Sequence, residues 1–409
     1  MKTDERFHSL DVVRAGALLL GVALHSTMSF WPGMREVRWP ISDDATSVVA
    51  SGSFFVIHIF RMSAFYVIAG FFARLLVKRL GTWGFVKNRL RRIALPFLAA
   101  MVVVMPFLFL PFIWGQRQLG IVGPPLIKPP IPDPQLPPWG HLWFLYLLLV
   151  LYALWTGARL LMHALDRRGT AAALADRGLH ALIAGRLPPL MLAAPLVLAA
   201  PTALVLYSTP WWSMWQGIPP PIMGFIPNVP ALVAFGTAFG FGWFVHRRPL
   251  LLESLAQGWW LNLVWAVALS AVALALIGAR PQLGVVALPG HERAVFAAAY
   301  NVATWCWVLG LLGAATRFLS APSRGWRYLA DASFFVYLAH LPIVYALQAW
   351  MLRWPVPWAV KYLLIVAIAV GVTLAMYHYL VRSTFVGVFL NGRRYPRERS
   401  ATAARTSPG

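Results

Sequence analysis

The sequence predicts an all-α, polytopic integral membrane protein of about ten transmembrane helices with both termini in the cytoplasm. Three observations predict it. Hydrophobic residues make up 59% of the 409 residues and Asp, Glu, Lys and Arg only 12%, with a mean hydropathy of +0.66, whereas soluble domains carry roughly 25% charged residues. The apolar residues fall in runs of about 20, the length that crosses a hydrocarbon core of ~30 Å. The basic residues are also distributed unevenly. Counting Arg159 with the segment it borders, 25 of the 35 Lys and Arg lie on one side of the spans and 7 on the other, leaving Arg14, Arg61 and Lys361 within spans. The positive-inside rule makes the richer side cytoplasmic. The net charge of +22 is therefore topological and no sign of a nucleic-acid partner, and soluble enzymes and secreted disulfide scaffolds are excluded.

The spans are expected at 10–30, 50–73, 93–114, 142–161, 187–206, 229–245, 259–277, 294–316, 332–351 and 357–381. The first holds Arg14 and lacks a small-residue cleavage site, so it reads as a retained helix and not a signal peptide. Cys306, the sole cysteine, lies in an apolar run and serves packing. On the outer side, residues 124–138 (PPLIKPPIPDPQLPP) hold eight prolines and predict an extended polyproline-type strap. Residues 207–228 hold no charged side chain but carry Trp211, Trp212 and Trp215. These suit either an interfacial belt or a platform for apolar sugar faces. Residues 1–391 form one transmembrane domain, and the basic tail 392–409 is expected to be disordered. No internal repeat is evident, which weakens a transporter built from inverted halves.

Ionisable groups within spans are costly and mark function. Span 1 (LDVVRAGALLLGVALHSTMSF) holds Arg14 and His25, eleven residues and so ~16 Å apart along nearly one helical face. An imidazole titrating near neutrality suits proton transfer; a hydrogen bond to a neighbouring helix is the structural alternative. Arg14 can equally pair with Asp11 at i,i+3. Span 2 (FFVIHIFRMSAFYVIAGFF) places His58 and Arg61 three apart at mid-membrane. With 13 acids in the chain, almost all outside spans, Arg61 is short of permanent partners, so a ligand carboxylate or phosphate competes with a structural pair to Asp11. At the start of span 3, KNRLRRIALPF presents Arg89 and Arg92 as RxxR, which suits phosphates or, as a bland alternative, lipid headgroups. In span 9 (DASFFVYLAHLPIVY), Ser333, Tyr337 and His340 form one polar stripe suited to lining a cavity, and Pro342 follows. Trp143, at the start of HLWFLYLLLVLY, is a further candidate cavity-lining residue. No metal-ligand set, Walker loop, HExxH, GxSxG or dinucleotide fingerprint is present.

LDVVRAGALLLGVALH, FRMSAFYVIAGFF, HLWFLYLLLVLY and ASFFVYLAHLP, with RxxR before the third span, resemble the membrane-bound acyltransferase-3 superfamily. Arg–x10–His in span 1 and the RxxR are its hallmarks. The likeness is strongest to the glucan biosynthesis protein C branch, succinyltransferases of osmoregulated periplasmic glucans. The resemblance implies a multi-pass protein of the bacterial inner membrane and an acyl-CoA co-substrate, succinyl-CoA or acetyl-CoA, at the cytoplasmic face. It also implies a glucan or other glycan hydroxyl as acceptor at the outer face, and no permanently bound cofactor. It makes His25 the general base and Arg14 the second catalytic residue of the Arg–x10–His pattern, nearer the cytoplasmic phosphates, and Arg89, Arg92 and Arg61 the donor-binding residues. His58, Ser333, Tyr337, His340 and Trp143 are the expected cavity-lining residues. The proline-rich strap and the short tail depart from the pattern and leave the acceptor open. An O-acetyltransferase acting on another glycan or lipid-linked acceptor, a glycan exporter, and homo-oligomerisation stay open as well.

Overall fold

A computed structural model of the chain describes residues 7–123, 126, 136–166, 168–170, 173–174, 177–178, 193–282, 284–285, 288–392 and 395. The protein is an all-α, multi-pass membrane protein. No strand occurs among the described residues, and an isolated backbone bridge joins Pro138 to Met223. The helices are α1 (His8–Ser26), α2 (Val48–Arg89), α3 (Leu95–Val103), α4 (Met105–Leu119), α5 (Trp143–Leu165), α6 (Ala193–Tyr207), α7 (Val229–Val245), α8 (Leu250–Gln257), α9 (Trp259–Ile277), α10 (Gly290–Phe318), α11 (Arg324–Met351), α12 (Trp358–Met376) and α13 (Phe385–Asn391).

Seven helical runs among the described residues are long and apolar enough to cross a membrane, or eight if α7 and α8, bent by 111°, form one span. Each of the ten expected spans nevertheless falls on a helix. The count drops because Val48–Leu119 is a single run of 72 residues carrying two of them, and because α6 has 15 residues. Residues 187–192, most of 124–138 and most of the tail lie outside the described residues.

Local chemistry sets the helix boundaries. The Ser47 hydroxyl accepts from the Val49 amide at 3.1 Å and opens α2. The Asn228 side chain accepts from the Ala231 amide at 2.8 Å and opens α7, with Pro230 in its first turn. After Arg89 the helix widens into a π turn, Leu90–Ala94, before α3 begins. Such turns re-aim side chains, and this one carries Arg91 and Arg92.

α1 is the hub of the bundle, packing against α2, α10, α11 and α12. α2 crosses α7 at backbone contact: a Cβ at Gly70 would overlap the Phe239 carbonyl, and one at Gly242 the Val67 carbonyl. Small residues permit this approach where van der Waals packing holds membrane helices together.

One expectation about the loop tryptophans changes here, and one buried ion pair emerges. Trp212 and Trp215 are buried core residues, neither an interfacial belt nor a sugar platform. The Trp212 indole donates to the Gly217 carbonyl at 2.8 Å and Trp215 to the Gly278 carbonyl at 3.1 Å, while Trp215 packs on Trp31, Phe54 and Phe55. Their own loop folds inward because each indole N–H finds a carbonyl there. Lys361, in turn, is fully buried and pairs with Asp43 at 2.7 Å. This pins the segment between α1 and α2 to the start of α12. Breaking one partner of such a pair strands the other charge and costs about 3–5 kcal/mol. Asp43→Leu is therefore expected to lower the thermal midpoint in detergent sharply, and Asp43→Leu with Lys361→Met to recover much of the loss; equal midpoints for the two variants would show that the pair is not coupled.

Candidate active site

A cavity of about 310 Å³ opens between α1, α2, α5 and α11. Its charged and polar lining comprises Arg14, Arg61, Arg89, Arg92, Asp331, Ser333 and Tyr337, and its apolar wall includes Phe65, Phe72, Phe144, Tyr152 and Leu390. Four guanidinium groups against one carboxylate give it an excess of positive charge within low-dielectric walls, which focus the field. Asp331 accepts a hydrogen bond from the Tyr395 hydroxyl.

The cavity has two ends. At one, Arg89 stands just before the π turn and Arg92 within it; the Arg89 guanidinium lies over the Phe85 and Tyr152 rings at 5.8 and 5.7 Å, and its Nη2 donates to the Asn88 side chain at 2.5 Å. At the other end stands Arg61, only 8% exposed. Its expected structural partner is otherwise engaged: Asp11 pairs with Arg14 at 3.1 Å. Among the described residues no carboxylate pairs with Arg61, and its buried Nε has no hydrogen-bond partner. The guanidinium packs against Gly21 of α1, where a Cβ would overlap Nη1. Gly21 is one turn before His25, so Arg61 reaches α1 beside the histidine.

Arg14 and Ser333 are held together. Arg14 Nη2 donates to the Ala330 carbonyl at 3.0 Å and the Ser333 hydroxyl donates to the same carbonyl at 2.8 Å.

Beyond Arg61 lies a group of imidazoles. The His25 and His340 rings are 5.5 Å apart between centroids, and His340 and His141 are 6.3 Å apart. His25 is partly accessible, while its Nδ1 is buried without a partner. The Gln348 amide fixes the backbone around it, donating to the His25 and Ser26 carbonyls at 3.0 and 3.2 Å. His340 Nδ1 stands 2.9 Å from the Tyr337 carbonyl and 3.0 Å from that of Val336. Two acceptors require an N–H at Nδ1, so Nε2 is left as a bare, buried acceptor. His141 follows the same logic through Pro342. A proline has no N–H, so the carbonyl four residues back loses its helical donor; that carbonyl, of Leu338, faces His141 Nε2 at 3.4 Å. Tyr337 closes the arrangement by donating to the His141 carbonyl at 2.6 Å. Among the described residues no group of three or more His, Cys, Asp or Glu is placed to hold a metal ion.

The expected residues thus divide. Arg14, Arg61, Arg89, Arg92, Ser333 and Tyr337 line one cavity, and His25 and His340 lie side by side past its Arg61 end. His58 is not among the residues lining the cavity: its ring stacks on Phe54 at 5.1 Å and lies against Gly217. Trp143 does not line the cavity but packs on Phe235 of α7 at 5.5 Å. Successive residues on a helix point about 100° apart, so Phe144 takes that place and His141, just before α5 begins, joins the imidazoles. Sequence reasoning missed His141, Asp331, Gln348 and the whole of α13. His141 and Asp331 both open stretches already singled out for other residues.

A family model described as an acyltransferase domain matches residues 7–378. Glucans biosynthesis protein C of Escherichia coli strain K12 is 28% identical over 116 residues, or 28% of this chain and 29% of that protein. The same figures hold for the protein of that name in Escherichia coli O1:K1 / APEC. The aligned region thus spans under a third of these curated relatives. No solved structure matches the chain.

Proposed function

The chain belongs to the acyltransferase-3 family, a membrane acyltransferase by that membership, and from this premise we propose that it moves a succinyl group from cytoplasmic succinyl-CoA to a hydroxyl of a periplasmic glucan. The observation that carries the reading is the buried Arg61, without a carboxylate partner among the described residues, standing between an arginine-lined cavity and His25. A cavity of this kind is matched to a ligand with anionic groups at both ends and an apolar arm between them. Arg89 and Arg92 bind the phosphates of the coenzyme, the aromatic wall receives the pantetheine arm, and Arg61 takes the free carboxylate of the acyl group.

His25 acts as general base on the acceptor hydroxyl. The hydroxyl oxygen attacks the thioester carbonyl, its proton passes to the imidazole, and the collapsing tetrahedral intermediate expels the coenzyme thiolate, which takes that proton. Gln348 holds the His25 backbone, and the bare Nε2 of His340 stands where a second acceptor can orient the incoming hydroxyl. The name of these relatives, glucans biosynthesis protein C, supports a glucan as acceptor.

The donor half of the reading is tested by binding. Arg89→Ala and Arg92→Ala are each expected to raise the Kd for coenzyme A about tenfold. Arg→Lys at either position keeps the charge, loses the bidentate fork and still weakens binding. Isothermal titration of the purified variants checks this; wild-type affinity in both alanine variants would remove the RxxR from the donor site.

A further inference from the structure

The basic stretch KNRLRRIA sends its cations in two directions. Arg89 and Arg92, three apart, line the cavity already described. Lys87 and Arg91, four apart, line a second pocket of about 710 Å³, on which Arg92 also borders. The π turn at Leu90–Ala94 carries one member of each set, Arg92 of the first and Arg91 of the second. Among the described residues no acidic side chain lines this second pocket, and no carboxylate pairs with Lys87 or Arg91. Like charges four apart on a helix repel, so the arrangement favours an anion.

The opposite wall is α13, a helix of seven residues. Leu390 reaches the first cavity, while Phe385 and Phe389 line the second. The Arg92 guanidinium packs against Gly392, where a Cβ would overlap it. Arg92 and α13 together therefore partition two adjoining anion pockets. Phe385, 82% exposed, and Phe389, 37% exposed, offer aromatic faces beside the cations, the combination that receives a phosphorylated nucleoside: bases stack on aromatic rings and phosphates bind to Lys and Arg.

We propose that this second pocket is a separate subsite for the nucleotide end of the donor, with Lys87 and Arg91 holding its ribose phosphomonoester and Phe385 and Phe389 its base. The inference rests on the acyl-coenzyme A reading above and deepens it. A donor carrying a pyrophosphate and a distinct phosphomonoester needs two anion pockets separated by a shared cation, and Arg92 is that cation. A lipid headgroup phosphate shares the chemistry but has no use for a pocket contiguous with the arginine cavity.

The experiment measures Kd for coenzyme A and for 3′-dephospho-coenzyme A in neutral-lipid nanodiscs, for the wild type and for Lys87→Gln with Arg91→Gln. The wild type is expected to bind coenzyme A at least about tenfold more tightly than the dephospho form, and the double variant to bring that ratio close to one. A wild-type ratio near one overturns the subsite, as does a double variant that weakens both forms equally. Repeating the titration in phosphatidylglycerol nanodiscs separates the phosphate sources. If the double variant changes only the response to anionic lipid and keeps the ratio, the pocket is a headgroup site and the proposal falls. If the wild type binds neither form, the donor reading itself fails and takes the subsite with it.

Discussion

His25→Ala is expected to insert, purify and bind coenzyme A as the wild type does, yet to lose acyl transfer by at least about 10²-fold, the usual scale for a general base. The reason is geometric. His25 is partly accessible, its neighbours His340 and Arg61 are fixed by α11 and α2, and Gln348 bonds to its carbonyl and not to its ring. Truncating the ring therefore leaves the helix contacts in place. Thermal melting and donor binding separate this outcome from misfolding. Turnover near the wild-type rate in a folded, donor-binding variant would remove His25 from the chemistry.

Arg61→Gln is expected to shift donor choice from succinyl-CoA toward acetyl-CoA. A charge-assisted hydrogen bond in a water-poor site is worth about 1.5–3 kcal/mol, and each 1.4 kcal/mol is tenfold, so the ratio of the two kcat/KM values should move by roughly 10- to 100-fold. Gly21→Ala supplies a second probe that changes no charge: the added methyl occupies the place of Nη1, so it displaces the guanidinium and should move the ratio the same way. A purely structural Arg61 would instead reduce both donors together. An unchanged ratio in a folded Arg61→Gln variant would rule out the carboxylate role.

Much of this site was legible in the sequence because charged and polar residues stand out against long apolar runs. Arg14, Arg61, Arg89 and Arg92 were conspicuous for that reason, and the Ser333–Tyr337–His340 stripe followed from helical periodicity. What was not legible depends on where one helix meets another. Asp11 is within reach of Arg14 and Arg61 in principle, and the packing of α1 assigns it to Arg14. The position of His141 depends on the carbonyl that Pro342 sets free on a different helix, a link no local pattern encodes. Trp212 and Trp215 read as surface residues because their loop lies between spans, and the carbonyls that receive their N–H groups are supplied only by the folded chain. α13 is too short and too close to the basic tail to stand out, yet Leu390 reaches the cavity.

The most direct test of succinyl transfer uses purified protein in proteoliposomes, supplied with succinyl-CoA on one side and osmoregulated periplasmic glucan on the other. Free thiol and the mass of the glucan are measured together. Coenzyme A is expected to be released in step with glucan molecules gaining the mass of one or more succinyl groups, and both signals to vanish in His25→Ala. Glucan crossing the vesicle membrane with its mass unchanged and the thioester intact would contradict succinyl transfer.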